Sequence, residues 1–194
     1  MKALYMVSMA LAFGMALPAN AAKPVNNQAR STEQTTNETK ISTNEQATVN
    51  DLARDGMVEV RLGQLAVTNS YSPDVKNLGL RMMHDHSQAN AQLAIAARQM
   101  QAKLPATLSK EGNSKIKSMS TLHGKAFDRQ YLSSFIKDHK KAVDVIQQEA
   151  NRGSGEFKEW ASNTLPTIKD HLRIAKDLQS QFNSTSQSSS PHQM

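Results

Sequence analysis

The chain has 194 residues, a formal net charge of +6 and no cysteine. The absence of cysteine excludes disulfides, thiolate metal sites, cysteine nucleophiles and iron–sulfur clusters, so a metal would have to be bound by His, Asp, Glu or Met. Its 23 Lys and Arg residues are scattered rather than clustered, and only 5% of the residues are aromatic. This pattern predicts a solvated basic surface and no nucleic-acid partner.

The first 21 residues have the pattern of a secretory signal peptide. Lys2 precedes an apolar run that ends near Pro18, and Ala19 and Ala21 form an A-x-A cleavage site. We therefore expect cleavage after Ala21 and export to the periplasm, with the mature protein free, held at the envelope surface or secreted. No other long apolar run follows, so no transmembrane segment is expected after cleavage.

Two polar segments flank the central part of the chain. Residues 22–41 and 183–194 are rich in Ser, Thr, Asn and Gln and contain no aromatic residue. Such a composition cannot bury enough apolar surface to order a segment, which predicts a flexible leader and a disordered tail. Residues 42–182, between them, have the length of one domain.

The apolar residues of this domain recur at intervals of three and four, the period of amphipathic helices rather than strands. A capping box, Ser42 with Glu45, begins the first helix, and Ser72 followed by Pro73 begins the second. The pattern predicts an all-α domain, a four-helix bundle with a short connecting helix between the second and third long helices. The expected helices are 43–68, 73–102, 110–121, 125–151 and 155–181.

Each long helix carries one polar side chain on or beside its apolar face. Each residue advances about 100° around a helix axis. This rotation places His86, His139 and His171 among the core positions of the second, third and fourth long helices. Glu59 lies at the edge of the apolar face of the first. We therefore expect these four side chains to point into the bundle.

An aspartate precedes each inward histidine and is rotated away from the point that the histidine faces. Asp85 and Asp138 lie nearer the edges of the apolar faces than Asp170 does. A carboxylate at such an edge can accept a hydrogen bond from an imidazole N–H on a neighbouring helix and so fix the tautomer of that ring. This role is expected for Asp85 and Asp138.

Two glycines, Gly56 and Gly63, stand about one turn on either side of Glu59. A glycine inside a helix is less favourable than alanine by about 1 kcal/mol. We expect the two glycines either to allow a close approach of two helices or to leave room for the imidazole rings opposite.

The four inward polar groups predict a metal site. Burying a polar group without a partner costs on the order of 1–3 kcal/mol, so these groups must satisfy one another, a metal ion or water. Three imidazoles and one carboxylate suit a single Zn, Cu or Fe ion. The predicted ligands are Glu59, His86, His139 and His171.

The predicted function is metal or stress handling in the cell envelope, by a protein that is not an enzyme. Two alternatives stay open. The first is a metal-free structural or interaction protein of the envelope, in which the His and Glu side chains form a hydrogen-bonded core network. The second is a metal-dependent oxidoreductase, which would need an open coordination position and a substrate pocket.

Five segments agree in order and spacing with a known family: DGMVEVRLGQLA (55–66), VKNLGLRMMHDHSQAN (75–90), LP (104–105), FDRQYLSSFIKDHKKAV (127–143) and LPTIKDHL (165–172). Together they resemble the bacterial exported ferritin-like domain that is known only as a domain of unknown function and is often labelled an outer-membrane or exported protein. The resemblance spans about 45–180. It implies a ferritin-like helical bundle and no established activity.

One departure from the ferritin-like pattern bears on the metal. Ferritin-like di-iron sites take a Glu-x-x-His motif from each of two helices. In this chain the residue three positions before each inward histidine is apolar, namely Met83, Ile136 and Ile168. A di-iron centre is therefore not expected, and a site for one metal ion or a vestigial site fits better.

Overall fold

The computed structural model describes residues 41–188, which form five α-helices and no strand. The all-α prediction is confirmed for this part of the chain, and the predicted short helix lies between the second and third long ones. Helix α5 continues past residue 183, where the disordered tail was expected to begin. The helices are α1 (Thr43–Asn69), α2 (Pro73–Gln99), α3 (Lys110–Ser120), α4 (Gly124–Arg152) and α5 (Gly155–Ser188).

The terminal predictions fall largely beyond this range. The signal peptide (1–21), the leader up to residue 40 and the end of the tail (189–194) lie outside the described residues. Within residues 41–188, none of the helices carries an apolar stretch long enough to cross a lipid bilayer.

Serine residues begin the first three helices. The Oγ atoms of Ser42, Ser72 and Ser109 accept hydrogen bonds from backbone N–H groups in the first turns of α1, α2 and α3, over 3.2, 3.4 and 2.9 Å. Each bond satisfies a backbone donor that the start of a helix leaves unpaired. The helix starts predicted at Ser42 and at Ser72 are confirmed.

The four long helices form a closed ring of neighbours. Helix α1 packs against α2, α2 against α5, α5 against α4, and α4 against α1. The links 70–72 and 153–154 are short, so α1 with α2 and α4 with α5 form antiparallel hairpins. The α2–α5 and α1–α4 contacts join the two hairpins.

The link between α2 and α4 is long and runs beside α1. At its beginning, the side-chain amide of Gln46 donates to the carbonyl oxygen of Lys103 over 2.8 Å and accepts from the Lys103 N–H over 2.9 Å. At its end, Asn69 donates to the carbonyl oxygen of Leu122 over 2.9 Å. Both ends of α1 therefore hold this link, and α3, which it carries, packs on α1 and contacts α4.

Two apolar clusters fill the interior, one above the other along the helices. The first contains Phe127, Tyr131 and Phe135 with their neighbours, and the second contains Phe157 and Trp160 with theirs. Both clusters draw residues from several helices. The three inward histidines lie in sequence between the segments that supply the two clusters, so the polar groups form a layer between two apolar ones.

Helices α1 and α2 approach closely where two glycines face each other. A Cβ atom on Gly63 would lie 2.7 Å from the carbonyl oxygen of Gly79, and a Cβ on Gly79 would lie 2.7 Å from the Gly63 carbonyl oxygen. The close approach expected of Gly63 is therefore present. Gly56 instead leaves room for the side chain of Asn90, because a Cβ there would lie 2.0 Å from the Asn90 Oδ1 atom.

Gly63→Ala is expected to lower the free energy of unfolding by roughly 1–3 kcal/mol, because the added methyl group meets backbone atoms that cannot move aside. The loss should appear although alanine favours a helix over glycine by about 1 kcal/mol. Urea unfolding of both proteins measures it. Gly56→Ala is the matched control, with a smaller loss, because the Asn90 side chain can rotate away. Equal losses in the two variants would contradict this account of the α1–α2 contact.

Candidate metal centre

Three buried histidines from three helices meet between the two apolar clusters. His86 of α2, His139 of α4 and His171 of α5 are 8%, 2% and 0% exposed. Their ring centroids form a nearly regular triangle with sides of 5.7, 5.5 and 5.7 Å. One nitrogen atom from each ring lies within 4.8 Å of the other two. The structure thus brings together the three histidines that the sequence predicted to face inward.

Hydrogen bonds fix the tautomers of two of these rings. The Nδ1 atom of His139 lies 3.2 Å from the carbonyl oxygen of Phe135, so this nitrogen carries the proton and donates it. The Nε2 atom of His171 donates to Asp85 Oδ2 over 2.8 Å. The opposite nitrogens, His139 Nε2 and His171 Nδ1, therefore have free lone pairs.

The free nitrogens are buried without hydrogen-bond partners. His139 Nε2, His171 Nδ1 and His86 Nε2 all lack a partner within the described part of the chain. An unsatisfied buried polar atom costs on the order of 1–3 kcal/mol, which folding must offset. Three such atoms in neighbouring buried rings could hold a metal ion, which would supply the missing interaction.

Asp85 holds His171 and is itself held by surface groups. Its carboxylate accepts hydrogen bonds from His84 Nδ1 over 2.8 Å and from Arg81 Nε over 3.2 Å, besides the bond from His171. Burial raises the pKa of Asp85, but these three hydrogen bonds outweigh it and lower the pKa to about 2. The carboxylate stays ionised and orients the imidazole, which is the contact expected of Asp85.

The expectation for Asp138 requires correction. Its Oδ2 atom accepts hydrogen bonds from the ammonium group of Lys115 and from the hydroxyl of Ser134. The reason lies in the path of the α2–α4 link, which places α3 against α4 and brings Lys115 to Asp138. Asp138 is thus bound to a lysine of α3 rather than to an imidazole of a neighbouring long helix.

Burial keeps the three imidazoles neutral. Burial, together with the neighbouring His171, lowers the pKa of His86 to about 3. Burial, with the proximity of the other two rings, holds the pKa of His139 well below its usual value. The pKa of His171 is also lowered by burial, although Asp85 opposes this effect. At neutral pH all three rings can offer a lone pair to a metal.

The metal-free protein should lose stability as the pH falls below about 6.5. Between this value and a pH of about 3, the unfolded chain binds a proton at His86 that the folded protein does not bind, and the lowered pKa values of His139 and His171 act in the same direction. The free energy of unfolding should therefore fall by up to about 1.4 kcal/mol per pH unit for each such histidine. Glu59, whose pKa is raised on folding, offsets part of the loss above pH 4.5.

Urea unfolding of the chelator-treated protein at several pH values between about 7 and 4 measures this dependence. The variant His86→Gln, with one titrating group fewer, should show a shallower fall. A wild-type protein whose stability is unchanged over this range would contradict the neutral, buried state of the three rings.

Glu59 is buried beside the histidines but lies outside their group. It is 6% exposed, and its Oε1 atom lies 3.6 Å from the ammonium nitrogen of Lys115. Its Oε2 atom has no hydrogen-bond partner in residues 41–188. Burial raises the pKa of Glu59 to about 7 although Lys115 opposes the shift. The carboxyl group can therefore either bind a cation or accept a proton near neutral pH.

A cavity of about 280 Å³ is lined by Glu59 and by two of the three histidines, His86 and His139. All five helices contribute to its lining. Apolar side chains such as Trp160 and Ile168 line it as well. The histidine group is thus a site with free space beside it, unlike the closed environment of a structural metal ion.

Two side chains of this region were not predicted as site residues. Lys115 lies in α3, whose polar sequence gives no inward pattern from which its contact with Glu59 could be inferred. Tyr131 occupies a regular core position in α4. Its buried hydroxyl lacks a hydrogen-bond partner in the described chain, and burial and the nearby charge of Glu59 raise its pKa well above the usual value.

Comparisons with known proteins give a family and a related fold. The sequence profile of a domain of unknown function, DUF4142, matches residues 30–178. The chain is also similar to the crystal structure of a DUF305 fragment from Deinococcus radiodurans, with a TM-score of 0.64 and 16% sequence identity. The similarity covers 73% of this chain and 99% of that one, and at this identity it shows the helical fold alone. No curated protein matches.

Proposed function

This chain belongs to the DUF4142 family, a domain of unknown function, and from that premise we propose that it binds one transition-metal ion through His86, His139 and His171. One observation carries the proposal. Each of the three buried imidazoles offers one nitrogen that lies within 4.8 Å of the other two, and each ring has a buried nitrogen without a hydrogen-bond partner in the described residues. The role is metal binding for buffering or stress handling, and it requires no enzymatic step.

A metal-free hydrogen-bonded network explains these nitrogens less well. The rings of His139 and His171 have already committed their protons to Phe135 and Asp85. Only His86 Nε2 can still donate a proton within the triangle, and it can satisfy one acceptor. At least one buried acceptor would remain unpaired, at a cost of about 1–3 kcal/mol. A cation satisfies all three lone pairs together.

The donor set favours a borderline metal ion. Three neutral imidazoles suit Zn, Cu or Fe, whereas Mg and Ca prefer oxygen ligands. The hydrogen bonds from His139 and His171 to a backbone carbonyl and a carboxylate are of the kind that orients histidine ligands. Glu59, across the cavity, is the side chain available as a fourth ligand or as a proton acceptor beside an open position.

The order and direction of the helices support a ferritin-like bundle as the scaffold. Ferritin-like bundles contain two antiparallel hairpins joined by one long crossover connection. Here the link 100–123 joins the two hairpins and returns along α1. The single-metal proposal differs from the di-iron sites of that fold, because apolar residues replace the glutamates of the Glu-x-x-His motifs.

The N-terminal sequence supports a role outside the cytoplasm. Residues 1–21 have the charged start, apolar run and small-residue cleavage site of a signal peptide. We propose that the mature domain works in the periplasm, where it can bind metal ions that enter the envelope. Fractionation of cells and N-terminal sequencing of the mature protein test this location.

Titration of Co(II) and Cu(II) into the mature, untagged protein tests the metal site. We expect one equivalent to bind and to give the visible absorption of a nitrogen-bound ion. The triple variant His86→Gln/His139→Gln/His171→Gln should lose this absorption. His123→Gln, which changes an exposed histidine, is the control and should retain it. Unchanged absorption in the triple variant would contradict the proposal.

A further inference from the structure

Four acidic residues line the cavity beside the histidines, in a protein of positive net charge. Asp55, Glu59, Glu111 and Asp138 line it, together with the two lysines Lys115 and Lys141. The carboxylates outnumber the ammonium groups there, whereas the whole chain carries a net charge of +6. The local field in this cleft therefore favours cations although the protein as a whole repels them.

Three of these acidic residues differ in burial, from exposed to buried. Asp55 is exposed, Asp138 is half-buried, and Glu59 is buried. Each of them attracts the ammonium group of Lys115, and together they raise its pKa even though burial lowers it. We call Asp55, Asp138 and Glu59 the acidic path.

The inner end of the acidic path reaches the unpartnered nitrogens. Glu59 Oε2, His86 Nε2 and His139 Nε2 belong to side chains that are at least nine-tenths buried and line the same cavity. All three atoms lack a hydrogen-bond partner in the part of the chain that the structure describes. The path thus leads from the solvent-exposed carboxylate of Asp55 to atoms that can bind a cation.

Lys115 occupies the position that a cation passing along this path would take. Its ammonium group bonds to Asp138 and lies 3.6 Å from Glu59 Oε1. It is carried by α3, on the link that crosses between the two hairpins. It can therefore act as a tethered counter-ion, which neutralises the carboxylates when no metal is there.

We propose that the acidic path is the access route by which a divalent cation reaches the three histidines, and that Lys115 is displaced from its carboxylates as the cation passes. This inference rests on the proposed metal binding. It assigns Asp55 and Asp138 to capture of the cation from solvent and Glu59 to its transfer inward. Asp55 and Asp138 are therefore not ligands of the bound metal.

Association kinetics test this route. Trp160 is the only tryptophan of the chain and lines the cavity, so quenching of its fluorescence by Cu(II) reports arrival at the site. We would mix the mature protein with Cu(II) in a stopped-flow instrument and vary the ionic strength. The test variant is Asp55→Asn/Asp138→Asn, and the control is Glu159→Gln/Asp177→Asn, which makes the same change in net charge at exposed positions of α5.

The association rate constant of the test variant should fall about three- to tenfold at low ionic strength. The reason is that the approaching cation then experiences a weaker negative field at the cavity. The difference should shrink at high salt. The control should stay close to the wild type, and the dissociation constant of the test variant should change less than its association rate. Thermal melts of the variants without metal establish that both are folded.

Two outcomes would overturn the route: an unchanged association rate in the test variant, and an equal fall in the control. An unchanged association rate together with faster dissociation would further make the carboxylates ligands of the metal. A wild-type protein that binds no Cu(II) would refute the metal site itself, a result that differs from a failure of the access route alone.

A second variant, Lys115→Gln, tests the displacement of the lysine. It should bind Cu(II) with a higher association rate constant than the wild type, and a lower one would contradict the displacement.

Discussion

Saturating the metal-free protein with Zn²⁺ should raise its free energy of unfolding by about 4 kcal/mol when the free metal concentration is 1,000 times Kd. For a domain of this length, such a gain corresponds to a rise in Tm of roughly 10 °C. The gain arises because the three nitrogens converge only in the folded state. The unfolded chain cannot offer three imidazoles within 4.8 Å of one another.

His139→Gln should remove most of this metal-dependent gain. His139 is 2% exposed, and its ring stacks on Phe135 with 3.8 Å between ring centroids, so its position is well defined. Thermal melts with and without Zn²⁺ measure the effect in each protein. His123→Gln is the matched control and should retain the full rise in Tm. A rise of similar size in His139→Gln would mean that Zn²⁺ binds elsewhere on the chain.

Asp128→Ala should lower the free energy of unfolding by roughly 2–4 kcal/mol without any effect on metal binding. Asp128 is fully buried, and its carboxylate accepts from the Ser70 hydroxyl over 2.5 Å and from the Ser72 backbone N–H over 3.1 Å. Removing it leaves the half-buried Ser72 N–H without this acceptor, at a cost on the order of 1–3 kcal/mol, and leaves the Ser70 hydroxyl with only the Ser72 carbonyl oxygen, 3.0 Å away. Urea unfolding measures the loss.

The size of this effect follows from what Asp128 connects. It lies in the first turns of α4, and both of its partners lie in the link between α1 and α2. It therefore ties one helical hairpin to the start of the other. Asp144→Ala, at an exposed position of the same helix, is the control and should change stability by about 0.5 kcal/mol or less. Equal losses in the two variants would contradict this role.

The helices and the inward direction of the histidines were predictable because both follow from local geometry. Capping residues such as Ser42 and Ser72 define where a helix begins, and a rotation of about 100° per residue defines which side chains share a face. His86, His139 and His171 share faces with core residues. The sequence could not predict that the three histidines lie at the same height along the helix axes. Periodicity gives the direction of a side chain around its helix but not the register between helices.

The polar surroundings of the histidines were only partly predictable. Asp85 and Asp138 have the same position relative to their histidines in sequence, yet only Asp85 bonds to an imidazole. The difference comes from their neighbours: α5 packs beside α2, whereas α3 carries Lys115 to Asp138. The path of a long link depends on tertiary packing, and no periodic pattern in its sequence indicates it.

Glu59 illustrates the same limit. Its position at the edge of an apolar face predicted that it would point inward, and it is buried as expected. The pattern did not reveal that Lys115 would lie 3.6 Å from it or that it would stand apart from the three histidine nitrogens. The sequence did contain one indication of the polar surroundings of Glu59. Asp55 precedes it by one helical turn, which places two acidic side chains on the same side of α1.

Elemental analysis of the protein, purified without a histidine tag, tests the metal site most directly. The wild type should contain about one equivalent of Zn, Cu or Fe, and His86→Ala/His139→Ala should contain almost none. His123→Ala should match the wild type. A wild type that neither contains a metal nor takes one up on incubation, or a double variant with the same metal content as the wild type, would contradict the account.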